Sequence, residues 1–390
     1  IDRQGSTNDG NTVMDFDSEE IAKKISISLS AANCTYQCEF GMAKFNLLDT
    51  PGFFDFEGEF ESAMRAVGAA VLVADANGTV AVGAEKAIEH CLRRHIPLMI
   101  FVNGVDKENS NYVATVDAFR VKYGRKISPT HLPIMRDGKM KGYVSVISGK
   151  AFEFSPGGRQ QVEVPNGMED DLKVLKDALI EAAAETSEEL LDKFFAEGTL
   201  TNDEVVAGVR SGLCTGDTIA IMGGSALQNM GVINLMHEIV ELLPSPFDRR
   251  PVMASDESGE IESVVCDVDK PFSAQVFKTV ADPFVGKLNM LRVFTGTLKS
   301  GMTVYNATTG EKERINTIYV MKGKKQEPID ELVAGDIGAV NKLNNTNTGD
   351  TLCDPAAKVC FSPIHFPKPT LFMAVAAEKK GEEDKVFAGL

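Results

Sequence analysis

The chain has 390 residues, and at about 150 residues per domain that length predicts two or three cores. A formal charge of −16, with acidic and basic residues spread throughout, excludes a general nucleic-acid-coating surface and leaves only local contacts of that kind. Seven cysteines without a repeated pair spacing exclude a disulfide framework, and no apolar run reaches the ~18 residues of a membrane span, so a soluble, cytoplasmic protein is expected.

The chain opens on Ile1 with no charged-then-apolar targeting pattern, and its natural start is expected upstream. The first half alternates short apolar runs with amphipathic stretches, which predicts an α/β domain with an open, mostly parallel sheet. Four runs lead into polar or glycine-rich chemistry. Phe45 to Leu48 precedes Asp49-Thr50-Pro51-Gly52, Ala69 to Val73 precedes Asp75, Leu98 to Val102 precedes Asn103-Gly104-Val105-Asp106, and Ile219 to Met222 precedes Gly223-Gly224-Ser225-Ala226. Ligands of such sheets bind beyond the carboxyl ends of the strands, where these four loops would gather. Cys91 lies between His90 and His95 on a predicted helix, too few ligands for a four-coordinate metal, and a plain helix face is the preferred reading.

An α+β insertion is predicted over about 131–205, ending in the acidic helical stretch Glu169 to Phe195, and the nucleotide-type domain is expected to span 1–250. Pro244-Ser245-Pro246 closes its last helix, and Ala254 to Glu262 reads as a linker. From 251 to 362, short β-rich runs punctuated by glycine predict an antiparallel barrel. The basic run Met321 to Lys325 reads as a solvated hairpin tip in preference to an RNA-phosphate contact. A strand over Leu371 to Ala376 is taken as the start of a third, α+β domain at 363–390.

Three constellations carry chemistry. Asp49, at a strand end, suits a magnesium ion held through water, and the Gly52 backbone N–H suits a γ-phosphate. The bland alternative is an ordinary Pro-Gly turn. Asn103 and Asp106 suit a guanine base, because a carboxylate accepts from both N1–H and the 2-amino group, a donor pair adenine lacks. Backbone N–H groups of Ser225-Ala226 suit the guanine O6. Each signal is weak alone; their order, each after its own apolar run, makes them strong together.

With these residues in view, the chain resembles elongation factor G and its relatives. Thr12 to Asp17 with Ile25 to Ser28 is similar to that family's first switch segment, and Asp49 to Phe56 to its second. Gly224-Ser225-Ala226, Leu243 to Pro246, Asp282 to Lys287, Ser300-Gly301 and Ala334 to Ile337 resemble further landmarks. The resemblance implies a GTP/GDP- and Mg2+-binding, ribosome-dependent GTPase that couples hydrolysis to tRNA and mRNA movement, acts as a monomer and touches no membrane. It implies Mg2+ ligation by Ser26 and Asp49, γ-phosphate contact by Gly52 and base contact by Asn103, Asp106, Ser225 and Ala226.

Three departures qualify this. No G-x-x-x-x-G-K-[ST] run occurs, so the chain by itself is expected to bind GTP poorly. Phe53 stands where the family carries a water-positioning histidine, and Gly104 where it carries a lysine, which points to a divergent paralogue. A GTP-dependent ribosome ligand with little hydrolysis and a ribosomal-protection relative are the alternatives.

Overall fold

The computed structural model describes residues 4–155, 158–256, 258–282, 286–369, 371–384 and 386. Helix α1 (Ser18–Lys23) starts on a reciprocal capping box between Asp17 and Glu20, two otherwise orphaned backbone donors being satisfied at once. Strands β1 (Ser30–Cys38) and β2 (Gly41–Asp49) then form an antiparallel pair in which Ser30 faces Asp49. The run that ends in Asp49 is thus no member of the parallel ladder expected from the sequence. Its residues alternate in burial, as a strand covered on one face does, and its other edge meets no described strand.

Helix α2 (Glu57–Ala66) leads to β3 (Ala70–Asp75), α3 (Val82–Arg93), β4 (Leu98–Asn103), α4 (Tyr112–Tyr123) and β5 (Ile127–Pro129). A four-stranded antiparallel sheet follows, made of β6 (His131–Arg136), β7 (Lys139–Ser145), β8 (Ala151–Ser155) and β9 (Gly158–Val162). The acidic helical stretch is two helices, α5 (Glu169–Ala184) and α6 (Glu188–Glu197), divided where the Ser187 hydroxyl caps the second. Helix α7 (Asn202–Thr215), β10 (Ile219–Gly224) and α8 (Val232–Leu242) complete this part.

The parallel sheet has the order β3-β4-β10-β5. Its central strands are apolar on both faces because helices cover both. Ile100, Val102, Ile219 and Ile221 enter one core, and Met99, Phe101, Ala220 and Met222 enter the other.

The stretch read as a linker is itself folded. Strand β11 (Val252–Asp256) turns back through β12 (Ile261–Val264), and β11 also pairs with the last strand of the barrel. The barrel proper runs through β13 (Ser273–Asp282), β14 (Gly286–Thr295), β15 (Thr297–Lys299), β16 (Thr303–Asn306), β17 (Glu311–Arg314), β18 (Ile318–Lys322), β19 (Lys325–Ile329), β20 (Glu331–Val333), β21 (Ile337–Asn341), β22 (Thr351–Cys353) and β23 (Val359–Phe361). Eight of these form one antiparallel sheet, ordered β17-β16-β22-β13-β14-β21-β18-β19. Val304 from one end of that order and Ile318 from the other meet in a single core with Val276 and Leu291, the packing of a sheet wrapped into a barrel.

Residues 371–376 form no strand: they have no partner ladder, and Leu371, Phe372 and Met373 are exposed. Of the landmark Asp282 to Lys287, positions 283–285 lie outside the described residues. Among the described residues no helix is long and apolar enough to cross a membrane.

The basic hairpin tip is docked, contrary to the solvated tip expected. Gly323 has φ +58 and donates its N–H to the Ala31 carbonyl at 2.8 Å. A Cβ there would stand 1.8 Å from the Val13 carbonyl oxygen, so the close approach of the barrel to the first switch-like segment needs glycine. Lys324 at the same tip points outward. Gly323→Ala is expected to cost about 1–3 kcal/mol through this clash, and Lys324→Ala less than about 0.5 kcal/mol. Thermal or urea melts of the two variants check this; equal midpoints would mean that the tip does not dock.

Candidate functional site

Asp49, Thr50, Pro51, Gly52 and Phe53 line a cavity of about 1120 Å³ that opens between β2 and β3 and runs under α2 and α3. No described strand fills the gap between these two edges. The loop emerges beside the start of α3, because a Cβ on Gly83 would come within 3.7 Å of the Gly52 carbonyl oxygen. Gly52 itself is exposed, and a Cβ added to it would meet nothing within 4 Å. Packing within the chain therefore does not demand glycine at 52; an external group coming close to its backbone would.

Asp49 faces this cavity with an exposed side chain. Partial desolvation, followed by the nearby carboxylates of Asp15 and Glu20, pushes its pKa up to about 6. Three acidic groups in one neighbourhood, with no cation among the causes of that shift, suit a divalent ion. Among the described residues, however, no group of three or more such side chains converges as a complete ligand set. A magnesium ion would have to draw much of its shell from water and phosphate, as it does elsewhere. No hydrogen bond joins Ser26 to Asp49. Ser26 lies just before a stretch held from behind, where Glu20, buried to 1% exposure, accepts the Ile27 and Ser28 N–H groups at 3.0 Å each.

The second group of residues sits at the carboxyl edge of the parallel sheet. Parallel pairing aligns Asp75 with Asn103 and Asn103 with Gly224, so the ends of β3, β4 and β10 are level. Asn103 Oδ1 accepts the Ala226 N–H at 2.9 Å, which ties the two base-type loops together. The Ser225 N–H is committed to the Met230 carbonyl at 2.8 Å, so of the pair expected to meet a base neither backbone donor is free in this conformation. Asp106 is half-buried, and its carboxylate accepts no hydrogen bond from the described residues. Its acceptor pair is open. Asp75 connects the two groups, since it lines the cavity with Asp49 and receives the Lys107 ammonium at 3.1 Å. The cavity does not itself reach Asn103, Asp106, Ser225 or Ala226.

Several residues here have no sequence signal. Lys278 of β13 brings an ammonium, 11% exposed, to Ser28 Oγ at 2.7 Å, the Leu29 carbonyl at 2.8 Å and Glu59 Oε2 at 2.7 Å. Gln4 donates to the Ala226 and Leu227 carbonyls at 2.9 and 3.0 Å. Each partner lies more than two hundred residues away along the chain, beyond the reach of any periodicity. His90, Cys91 and His95 do not form a site: burial pushes the Cys91 thiol up to about 12 and the His90 ring down to about 4, and the His95 ring meets the Thr215 carbonyl at 3.2 Å.

Residues 1–245 match the family described as the elongation factor Tu GTP binding domain, and residues 271–355 that described as elongation factor G domain 2. The chain belongs to the translational GTPases of the elongation factor G type. A solved crystal structure of a protein from Thermus thermophilus superposes with a TM-score of 0.79 at 27% identity, covering 100% of this chain and 55% of that one. The chain thus spans about half the length of the solved relative.

In this translational GTPase Phe53 stands 56% exposed at the cavity mouth, next to Phe54, over whose ring Lys86 Nζ sits at 3.7 Å.

A raised carboxyl pKa disfavours the charged native state. Stability contributed at Asp49 is therefore present at low pH and lost as pH rises from about 4 to about 6, remaining lost above that. Asp49→Asn, neutral at every pH, should melt slightly higher than the parent chain at pH 7.5, water around the exposed side chain screening most of the effect, with the gap closing near pH 4. A gap independent of pH would show that Asp49 titrates normally.

Proposed function

We propose that this chain is the nucleotide and barrel portion of a cytoplasmic, ribosome-acting GTPase that couples GTP hydrolysis to movement of tRNA and mRNA. The division proposed is 1–250 for the nucleotide domain with an insertion at about 131–205, 251–362 for the barrel and 363–390 for the start of a third domain. The observation that carries the reading is that Asp75, level with Asn103 at the carboxyl end of the parallel sheet and paired with Lys107, also lines the cavity that the Asp49–Gly52 loop faces.

In this arrangement Asp106 accepts from the guanine N1–H and 2-amino groups, and Asn103 keeps the Ala226 loop in register with it. If Ala226 turns its N–H from Asn103 to the base, guanine O6 becomes the acceptor. The open space over Gly52 admits a terminal phosphate to its backbone N–H. Asp49 and the Ser26 hydroxyl are the proposed magnesium ligands; the ion would supply charge neutralisation at the phosphates.

Phe53 favours a second reading, a GTP-dependent ribosome ligand with little turnover. A phenyl ring neither accepts a proton from water nor orients it. Ribosome-stimulated phosphate release under single-turnover conditions separates the two readings. Release well above the ribosome-free rate supports an enzyme. If release is absent and Phe53→His raises it by about 10²-fold or more, the range of a positioned acid–base group, the ligand reading holds. No nucleotide-dependent ribosome binding by either form would contradict both.

A further inference from the structure

Gly104 has no side chain and adopts φ +79, yet it is buried. Lys107 covers it. A Cβ built on Gly104 would stand 2.8 Å from Lys107 Cε, 3.1 Å from Cδ and 3.2 Å from Nζ, so the lysine stem occupies the space through which a side chain at 104 would leave the backbone. The turn beneath is closed by the Lys107 N–H on the Gly104 carbonyl at 3.1 Å. Beyond the stem, the ammonium reaches Asp75 Oδ1 at 3.1 Å, so the side chain spans from the end of β4 to the end of β3.

Stability gives little reason for this pose. The two side chains of the ion pair are 65% and 64% exposed, and pairs that open to water contribute little while holding a long side chain still is unfavourable. The pose does lay a strip of methylenes over Gly104, which stands in the chain between Asn103 and Asp106, the residues that would read a purine by its edge. Edge contacts lie in the plane of the ring and leave it free to pivot. A face contact is needed to fix it, and the loop's own position 104 has none to give.

We propose that Lys107 is a positioning residue for the bound base: its stem, packed over the bare Gly104 backbone, forms the platform under one face of the guanine ring. This rests on the reading of Asp106 as the guanine acceptor. Because a ring face looks alike in all purines, the platform sets affinity and leaves the choice between guanine and adenine to Asp106.

The test uses the whole chain and ligand-observed NMR titrations with GDP and ADP up to millimolar concentration. Lys107→Ala should weaken GDP binding about tenfold while the GDP-over-ADP ratio stays at the parent value. Lys107→Met, which keeps the stem and removes the charge, should stay within about threefold of the parent. Asp106→Asn should abolish the GDP-over-ADP preference. If the parent shows no such preference, or Asp106→Asn keeps it, the guanine reading fails and the platform with it. If the preference holds and Asp106→Asn removes it, but Lys107→Ala binds like the parent, the platform alone is overturned. Lys107→Met as weak as Lys107→Ala would also overturn it, since charge and not the stem would then carry the effect.

Discussion

The buried ammonium of Lys278 is the interaction on which the arrangement of this molecule turns. It leaves the barrel at β13 and satisfies three acceptors on the other side of the boundary, Ser28, Leu29 and Glu59. Glu59 in turn accepts the Leu29 N–H at 2.6 Å, so the segment behind Ser26 and the helix behind Gly52 are fastened to each other through the same charge pair. Removing one member would leave the other, largely shielded from water, without its opposite charge, a loss larger than an exposed ion pair produces. Arg292 adds a second strap by donating to the Ala66 carbonyl at the end of that helix at 2.8 Å. The loops around the candidate phosphate position therefore cannot shift alone; the barrel shifts with them or these bonds break.

Much of this was legible in the residue order. Continuous apolar runs such as Leu98 to Val102 fixed the buried parallel strands, and the polar residues after them marked the candidate edge, because a strand covered on both faces must end where the chain returns to water. Glycine punctuation revealed the barrel. Where the pattern misled, local and distant preferences coincided. Phe45 to Leu48 looks like a buried parallel strand, yet its register against β1 makes it one arm of an antiparallel pair. Ala254 to Glu262 has linker composition, but hydrogen bonding to β23, about a hundred residues on, makes it a hairpin. Lys324 and Lys325 announce a solvated tip, while the decisive residue there, Gly323, signals only by lacking a side chain.

The site shows the same division. Asp49, Gly52, Asn103 and Asp106, the proposed contacts, stand out in the sequence because strand ends and turn glycines are local features. Lys278 and Gln4 hold neighbouring segments, residues 28–29 and 226–227, from more than two hundred residues away, and no spacing rule connects residues 29 and 278. Glu20, Glu59 and Lys278 gather their hydrogen bonds on residues 27–29, the segment that leads into β1.

Amide hydrogen exchange in Lys278→Met tests this account most directly, because methionine retains the stem and deletes only the charge. The amides of Ile27, Ser28 and Leu29 should exchange about tenfold faster or more, as expected for losing charge-assisted bonds of about 1.5–3 kcal/mol, while the barrel strand β14 keeps its protection. Unchanged exchange at those three amides would show that the barrel does not hold the loop, and the mechanical unity drawn from Lys278 would be wrong.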